Sequence, residues 1–366
     1  MPPDEHHPHG NVAASHACDV SVVVSTYNRA DRLPLALEAL LAQTGDAVYE
    51  VVVVDNNSTD GTRDVVAAFA ARSNGRIRYG FESRQGLSYG RNTGIGLARA
   101  PIIALTDDDV RVAPDWVSRI ARTLHENPDV DFLGGRVLPN WIEPPPSWLT
   151  TAHWSPLALQ DYGDAPMWTG RERAVCLVGA SLAFRRRVFE TVGLFTPALG
   201  RIKDSIGSTE DHDMQLRVWR AGLRGQYTPA VVSIADVTPD RMLKSYHRRW
   251  HRGHGRYCAL MRLREFVPED QGPLAEPHDL ITLFGSPAFV YCDFFRKGYR
   301  WLDAVCRRKD SLFYANQLRH VWSYIRTRYQ IFRAESKRSP AAEVSRFLRA
   351  YGRKRMSRAA ARHASA

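Results

Sequence analysis

Through the first third of the chain, short β-branched runs alternate with longer amphipathic stretches. Asp19–Ser25, in "CDVSVVVSTYNR", is nearly continuous in β-branched residues, which suits a parallel strand covered on both faces. Leu33, Leu37, Leu40 and Leu41 then recur at helical spacing and predict an amphipathic helix of about three turns. The scheme repeats with a strand at Glu50–Val54, the polar turn "DNNSTD" and a helix over Thr62–Arg72. "RIRYGFES" predicts a third strand, "LSYGRNTGIGLARA" a helix and "PIIALTDDD" a fourth strand. This alternation predicts an α/β fold: a mostly parallel, doubly wound sheet with helices on both faces. Ligands of such sheets bind beyond the carboxyl ends of the strands. Three of those ends are "STYN", "DNNSTD" and "TDDD", so the polar clusters should converge on one crevice.

Further along, "APDWVSRIARTLHENP" reads as a helix, "VDFLGGRVLP" as a strand and "NWIEPPPSWLTTAHWSP" as an irregular surface loop. "AVCLVGASLAFRRRVFETVG" gives a strand, a turn and a short helix. A helix begins near Glu210 and stops at Gly222, and a last strand covers Ala230–Ile234. From Arg241 the pattern turns helical. The expected division is a disordered leader (1–17), an α/β domain (18–240), a basic helical extension (241–335) and a basic, partly disordered tail (336–366).

Charge sharpens that division. Residues 1–240 carry 23 Lys and Arg against 29 Asp and Glu, a net of −6, whereas residues 241–366 carry 27 against 10, a net of +17. The two halves should therefore meet different partners. In the basic part, Phe294, Phe295, Tyr299, Trp301, Leu302 and Val305 can form one helix face among Arg296, Lys297, Arg300, Arg307 and Arg308. Such a helix can lie on an anionic membrane surface or pack on the α/β domain with its cations outside. No nucleic-acid-binding motif accompanies the charge, so a nucleic-acid partner is not expected. Cys18, Cys176, Cys258, Cys292 and Cys306 are scattered and form no CxxC pair, which fits a reducing compartment. "MPPDEHHPHG" lacks the apolar core of a signal peptide, and no stretch reaches the roughly twenty apolar residues of a membrane span. A cytoplasmic protein is the expectation, peripheral at the inner face of the membrane if the basic helix lies on lipid rather than packing on the α/β domain.

Asp107, Asp108 and Asp109 end the fourth strand. Adjacent carboxylates repel unless solvent, donors or a cation relieve them. A solvated turn would carry them, and so would a divalent ion. "VVVSTYNRADRL", "VVVVDNNSTDGT", "GLSYGRNTGIGLA", "TDDD", "GASLAFRR" and "TEDHD" follow one another in order. Together they resemble the family 2 glycosyltransferases of the GT-A fold, over roughly Asp19 to Arg256. The resemblance implies an inverting, metal-dependent transferase, of hexosyltransferase type. It would move a sugar from a nucleotide diphosphate donor, with a uridine donor expected first, to a hydroxyl of a saccharide or lipid-linked acceptor. Polysaccharide or glycoconjugate assembly is the implied setting. A non-catalytic nucleotide-sugar-binding or scaffolding protein on the same fold is the alternative.

By that resemblance Asp109 is the direct ligand of Mg²⁺ or Mn²⁺, and Asp107 binds the donor ribose or the metal through water. Asp108 should point elsewhere, because neighbours on an extended segment alternate. Ser25 and Tyr27 would contact the base, Asp55 and Asn56 would read its edge, and Arg91 would approach the diphosphate. Asp55 also suits turn capping, and Arg91 a surface ion pair. Asp211 would be the general base, with Glu210 orienting the acceptor or capping the helix. Trp141, Trp148 and Trp154 could offer faces to sugar rings or simply pack. Many relatives carry a His after the last core strand; here Asp236, His247 or His251 would have to serve as a third ligand.

Overall fold

The computed structural model describes residues 18–202, 206, 208–336 and 338–364. The leader expected over residues 1–17 lies outside them. The described chain begins β1 (Val20–Thr26), α1 (Leu33–Leu41), β2 (Tyr49–Asp55), α2 (Thr62–Arg72), β3 (Ile77–Phe81), α3 (Leu87–Leu97) and β4 (Ile102–Asp107). It continues with β5 (Val110–Val112), α4 (Trp116–Glu126), β6 (Phe132–Trp141), β7 (Met167–Thr169), β8 (Ser181–Arg185), α5 (Arg186–Val192), α6 (Glu210–Arg220) and β9 (Gly225–Val237). The remaining helices are α7 (Lys244–Leu260), the single turn α8 (Leu263–Phe266), α9 (Ala288–Cys306), α10 (Ser311–Glu335) and α11 (Pro340–Ala364).

The sheet runs β3-β2-β1-β4-β8-β6-β9-β5, with β7 paired to β9. The first four strands are parallel, and β8 enters antiparallel between β4 and β6. Strand alternation divides the core. Val22, Val24, Val51 and Val53 face Leu33, Leu37 and Leu40 of α1 and Trp116 and Ile120 of α4. Val23, Val52, Val54, Ile103 and Leu105 face Ile95 of α3 and the Phe184, Phe189 and Phe195 cluster. Continuous apolar runs in β1 and β2 follow, since both faces are covered.

Strand order reverses between β1, which leads through α1 to β2, and β4 on its other side. Register sets Ser25 beside Asp107 and Thr26 beside Asp55 at this switch point. Helix α3 packs close to β1 because Gly90 has no side chain; a Cβ there would lie 2.1 Å from Ser25 Oγ. That approach carries Arg91 under the strand ends.

Helices α7, α9 and α10 share a core of Cys258, Ala259, Val290, Val321, Tyr324 and Ile325. Leu263 packs on this core and on that of the sheet, joining the two. The tail, expected to be partly disordered, is helical over Pro340–Ala364. Ala, Arg and Leu, all good helix formers, recur through it, and Arg346 donates to the Thr282 carbonyl at 2.7 Å. Among the described residues, no helix is long and apolar enough to cross a membrane.

Candidate functional site

The aspartate triplet is held by three arginines from three parts of the chain. Arg91 of α3 reaches Asp107 at 3.1 Å, Arg29 of the loop after β1 reaches Asp108 at 4.0 Å, and Arg241 before α7 reaches Asp109 at 3.8 Å. Each carboxylate thus diverges toward its own cation. Burial and the neighbouring Asp109 nevertheless push Asp108 up to about 7, so the repulsion is only partly relieved. Asp108 does not turn away from the site as strand alternation suggested. The chain leaves β4 at Asp107 and turns before β5, and all three aspartates line one cavity of about 940 Å³.

Arg91 connects this turn to the start of α6. Its side chain is 4% exposed, and its other terminal nitrogen donates to Glu210 Oε1 at 3.0 Å. Glu210 is equally buried, and among the described residues its Oε2 has no hydrogen-bond partner. Burial first and Asp211 second push Glu210 up to about 7, against the pull of Arg91. Gly179, in "GAS", makes room for the guanidinium. A Cβ there would meet Arg91 Nη2 and Nη1 at 3.0 and 3.1 Å. The Gly179 N–H donates to Asp211 Oδ2 at 3.2 Å, so one glycine sets both the cation and the adjacent carboxylate. Asp211 is partly exposed and faces the cavity.

Ser25, Tyr27, Asn56, Arg91, Asp107, Asp109, Glu210 and Asp211 therefore share one cavity wall. Asp55 is not on that wall. Its Oδ1 accepts from the Ser58 N–H at 2.9 Å and its Oδ2 from the Tyr79 hydroxyl at 3.0 Å, which makes it a turn cap. Asn56 reaches the wall, but its amide is spent on the 82–86 loop. It donates to the Glu82 and Arg84 carbonyls and accepts from the Gly86 N–H.

The third-ligand alternatives separate as clearly. Ala235, not Asp236, lines the cavity, and Asp236 is bound by Arg111 and by Asn140 at 2.8 Å. His247 is buried edge-on to Trp148, with ring centroids 5.0 Å apart. His251 alone of the three reaches the wall, its imidazole kept neutral by burial. Trp141, Trp148 and Trp154 are partly buried against the core around Leu149, Leu157 and Val237, and none of them lines this cavity. Trp250 does line the cavity. It lies between His247 and His251 in a stretch that the sequence marks by its histidines and charge; Arg241 precedes that stretch, and Arg29 directly follows "STYN".

The donor set at the triplet is all oxygen, which suits hard Mg²⁺ or Mn²⁺. With Asp107 and Asp109 aimed at different arginines, these carboxylates could supply only part of a cation's coordination shell. Among the described residues, ligand atoms of Cys176, Asp211 and His212 cluster within 4.8 Å of one another. Burial holds the Cys176 thiol protonated, so that set lacks the thiolate a soft ion needs.

The sequence profile of "Glycosyl transferase family 2" matches residues 21–193. The glucosyl-dolichyl phosphate glucuronosyltransferase of Haloferax volcanii is 29% identical over 202 residues, 55% of this chain and 63% of that protein. The validoxylamine A glucosyltransferase of Streptomyces hygroscopicus is 42% identical over 111 residues, 30% of this chain and 26% of that one. The succinoglycan biosynthesis protein ExoO of Rhizobium meliloti is 41% identical over 129 residues, 33% of this chain and 36% of that one. The chain thus spans less than two thirds of each of these relatives. In fold it is similar to the mannosyltransferase PcManGT from Pyrobaculum calidifontis, solved with GDP-Man and Mn²⁺. The TM-score is 0.50 and the identity 19%, covering 90% of this chain and 79% of that one. The mostly parallel sheet with its C-terminal helices is a GT-A fold, and residues 21–193, just under half of the chain, match the family 2 glycosyltransferases in sequence.

Proposed function

We propose that the protein is an inverting glycosyltransferase that moves a sugar from a nucleotide diphosphate to a hydroxyl of a saccharide or lipid-linked saccharide. The observation that carries this reading is the Arg91 bridge. It places the aspartate turn and the partly exposed Asp211 on one cavity wall. A binding module has no need of a carboxylate aimed at the same space.

In this reading Tyr27 stacks on the base, Ser25 lies beside it, and Asp107 meets the ribose. A uridine donor is the first to test; Asp55 accepts from the Ser58 N–H and the Tyr79 hydroxyl, so its part in reading the base is the one that Asp55→Asn examines. Asp109, with Asp107, would hold Mg²⁺ or Mn²⁺, which when bound stabilises charge on the departing diphosphate. Arg241, 3.8 Å from Asp109, adds a fixed positive charge on the same side. Asp211 takes the proton of the acceptor hydroxyl as its oxygen attacks the anomeric carbon. The bond to the diphosphate oxygen breaks, and its electron pair leaves with the nucleotide. Gly179 holds one oxygen of Asp211 in place throughout. The lipid-linked alternative draws support from the name of the Haloferax relative, which specifies a dolichyl phosphate-linked sugar.

Asp211→Asn tests the reading. Nucleotide release from a panel of sugar donors should fall about 10²–10⁴-fold while nucleotide affinity holds. Undiminished turnover would remove Asp211 from the chemistry.

A further inference from the structure

Helix α9 exposes a continuous apolar stripe. Cys292, Phe295, Tyr299, Leu302 and Val305 follow one another at three- and four-residue intervals, so they share one face. Phe295 and Tyr299 are 72% and 71% exposed, and Leu302 and Val305 about half exposed. Soluble surfaces rarely leave large aromatic residues in a row to water. The composition of this face differs from the sequence expectation. Phe294 turns back to the Trp322 ring at 5.7 Å, and Trp301 is half-buried. The opposite side of α9, through Val290, Asp293 and Ala304, is buried.

Cations line one edge of the stripe and its C-terminal end. Arg296, Arg300, Arg307, Arg308 and Lys309 are all exposed, and the acidic groups on the same surface, Asp303 and Asp310, are fewer. A second copy of this chain meeting the face would set these cations against their equals, so self-association is disfavoured by charge. We propose that the α9 face docks on an anionic bilayer surface. Its aromatic and aliphatic side chains enter the headgroup region, and its arginines meet lipid phosphates. The helix lies on the membrane rather than across it.

The inner side of α9 gives the docking a consequence. Val290, Asp293 and Lys297 line the same cavity as Asp211. A single helix, about 10 Å across, thus separates the lipid surface from the far end of that cavity. An acceptor saccharide whose lipid anchor stays in the bilayer could reach the cavity from its edge. This consequence rests on the transferase reading, whereas the docking rests on the exposed stripe and its charge.

Flotation of the full chain with vesicles tests the docking without any substrate. Phosphatidylcholine vesicles are compared with and without phosphatidylglycerol, at low and high salt. The wild type should float with the anionic vesicles and lose most of that binding in high salt. Phe295→Glu/Tyr299→Glu and, separately, Arg300→Glu/Arg308→Glu should each weaken it roughly tenfold or more. Circular dichroism and nucleotide calorimetry should leave both variants folded like the wild type. No flotation of the wild type would overturn the proposal, as would undiminished flotation of the aromatic variant. Wild-type dimers in sedimentation that Phe295→Glu/Tyr299→Glu dissociates would assign the face to a second copy instead.

Discussion

Arg91 and Glu210 stand 119 residues apart in the chain and 3.0 Å apart in space. The same guanidinium holds Asp107, so one buried cation ties the end of β4 to the start of α6. A buried ion pair is costly to break, because removing one partner strands the other away from water. Arg91→Met should destabilise the fold by about 3–5 kcal/mol in urea denaturation. Adding Glu210→Gln should restore part of that loss, since the stranded charge is gone. Additive effects would show that the two side chains do not depend on each other.

Glu210 also predicts a pH dependence. Its folded value is raised from 4.5 to about 7, chiefly by burial. A raised carboxyl stabilises the fold fully below about pH 4.5, and that contribution is lost as pH rises through about 7. Unfolding midpoints of the wild type should therefore decline over that interval relative to Glu210→Gln, which has nothing to titrate there. Parallel profiles would mean that Glu210 is ionised in the folded chain throughout.

Gly179→Ala separates positioning from packing. The added methyl would press on both terminal nitrogens of Arg91. Displacing that guanidinium disturbs Asp107 and Glu210 together, and a shift of about 1 Å at a reacting geometry can cost on the order of 10²-fold in rate. Transfer by Gly179→Ala should fall by roughly 10- to 100-fold, with a smaller proportional loss of stability. A variant with wild-type rate would show that Arg91 tolerates displacement.

Asp55→Asn makes the opposite claim. Two donors, the Ser58 N–H and the Tyr79 hydroxyl, converge on this buried carboxylate. An amide offers only one acceptor oxygen, so the variant should lose about 1–3 kcal/mol of stability. Nucleotide affinity, measured by calorimetry on folded protein, should change little. A large loss of affinity with stability intact would return Asp55 to the donor site.

The periodic part of the fold was legible because its physics is local. Thr62–Arg72 is helical over the span its apolar spacing sets, and the β-branched runs of β1 and β2 are strands buried on both faces. β5 escaped notice because three residues hold no period, and it exists only by pairing with β9. The convergence of motifs was legible where they sit at strand ends and at the α6 start, and Asp107, Asp109 and Asp211 share one cavity wall. Asp55 was ambiguous because a turn cap and a base-reading acid look alike in sequence, and the Tyr79 hydroxyl that it accepts from comes from the next strand. The tryptophans were open for a related reason. Whether an aromatic ring packs or lines a cavity depends on distant elements, which put Trp250 on the wall and Trp148 against His247.

Calorimetric titration with UDP, GDP, dTDP and CDP, each with and without Mn²⁺, tests the central claim most directly. Metal-dependent binding of one nucleotide, abolished by Asp109→Asn, is the predicted result. Failure of all four to bind in the presence of Mn²⁺ would contradict the account and leave the aspartate turn as an arginine-bound surface feature.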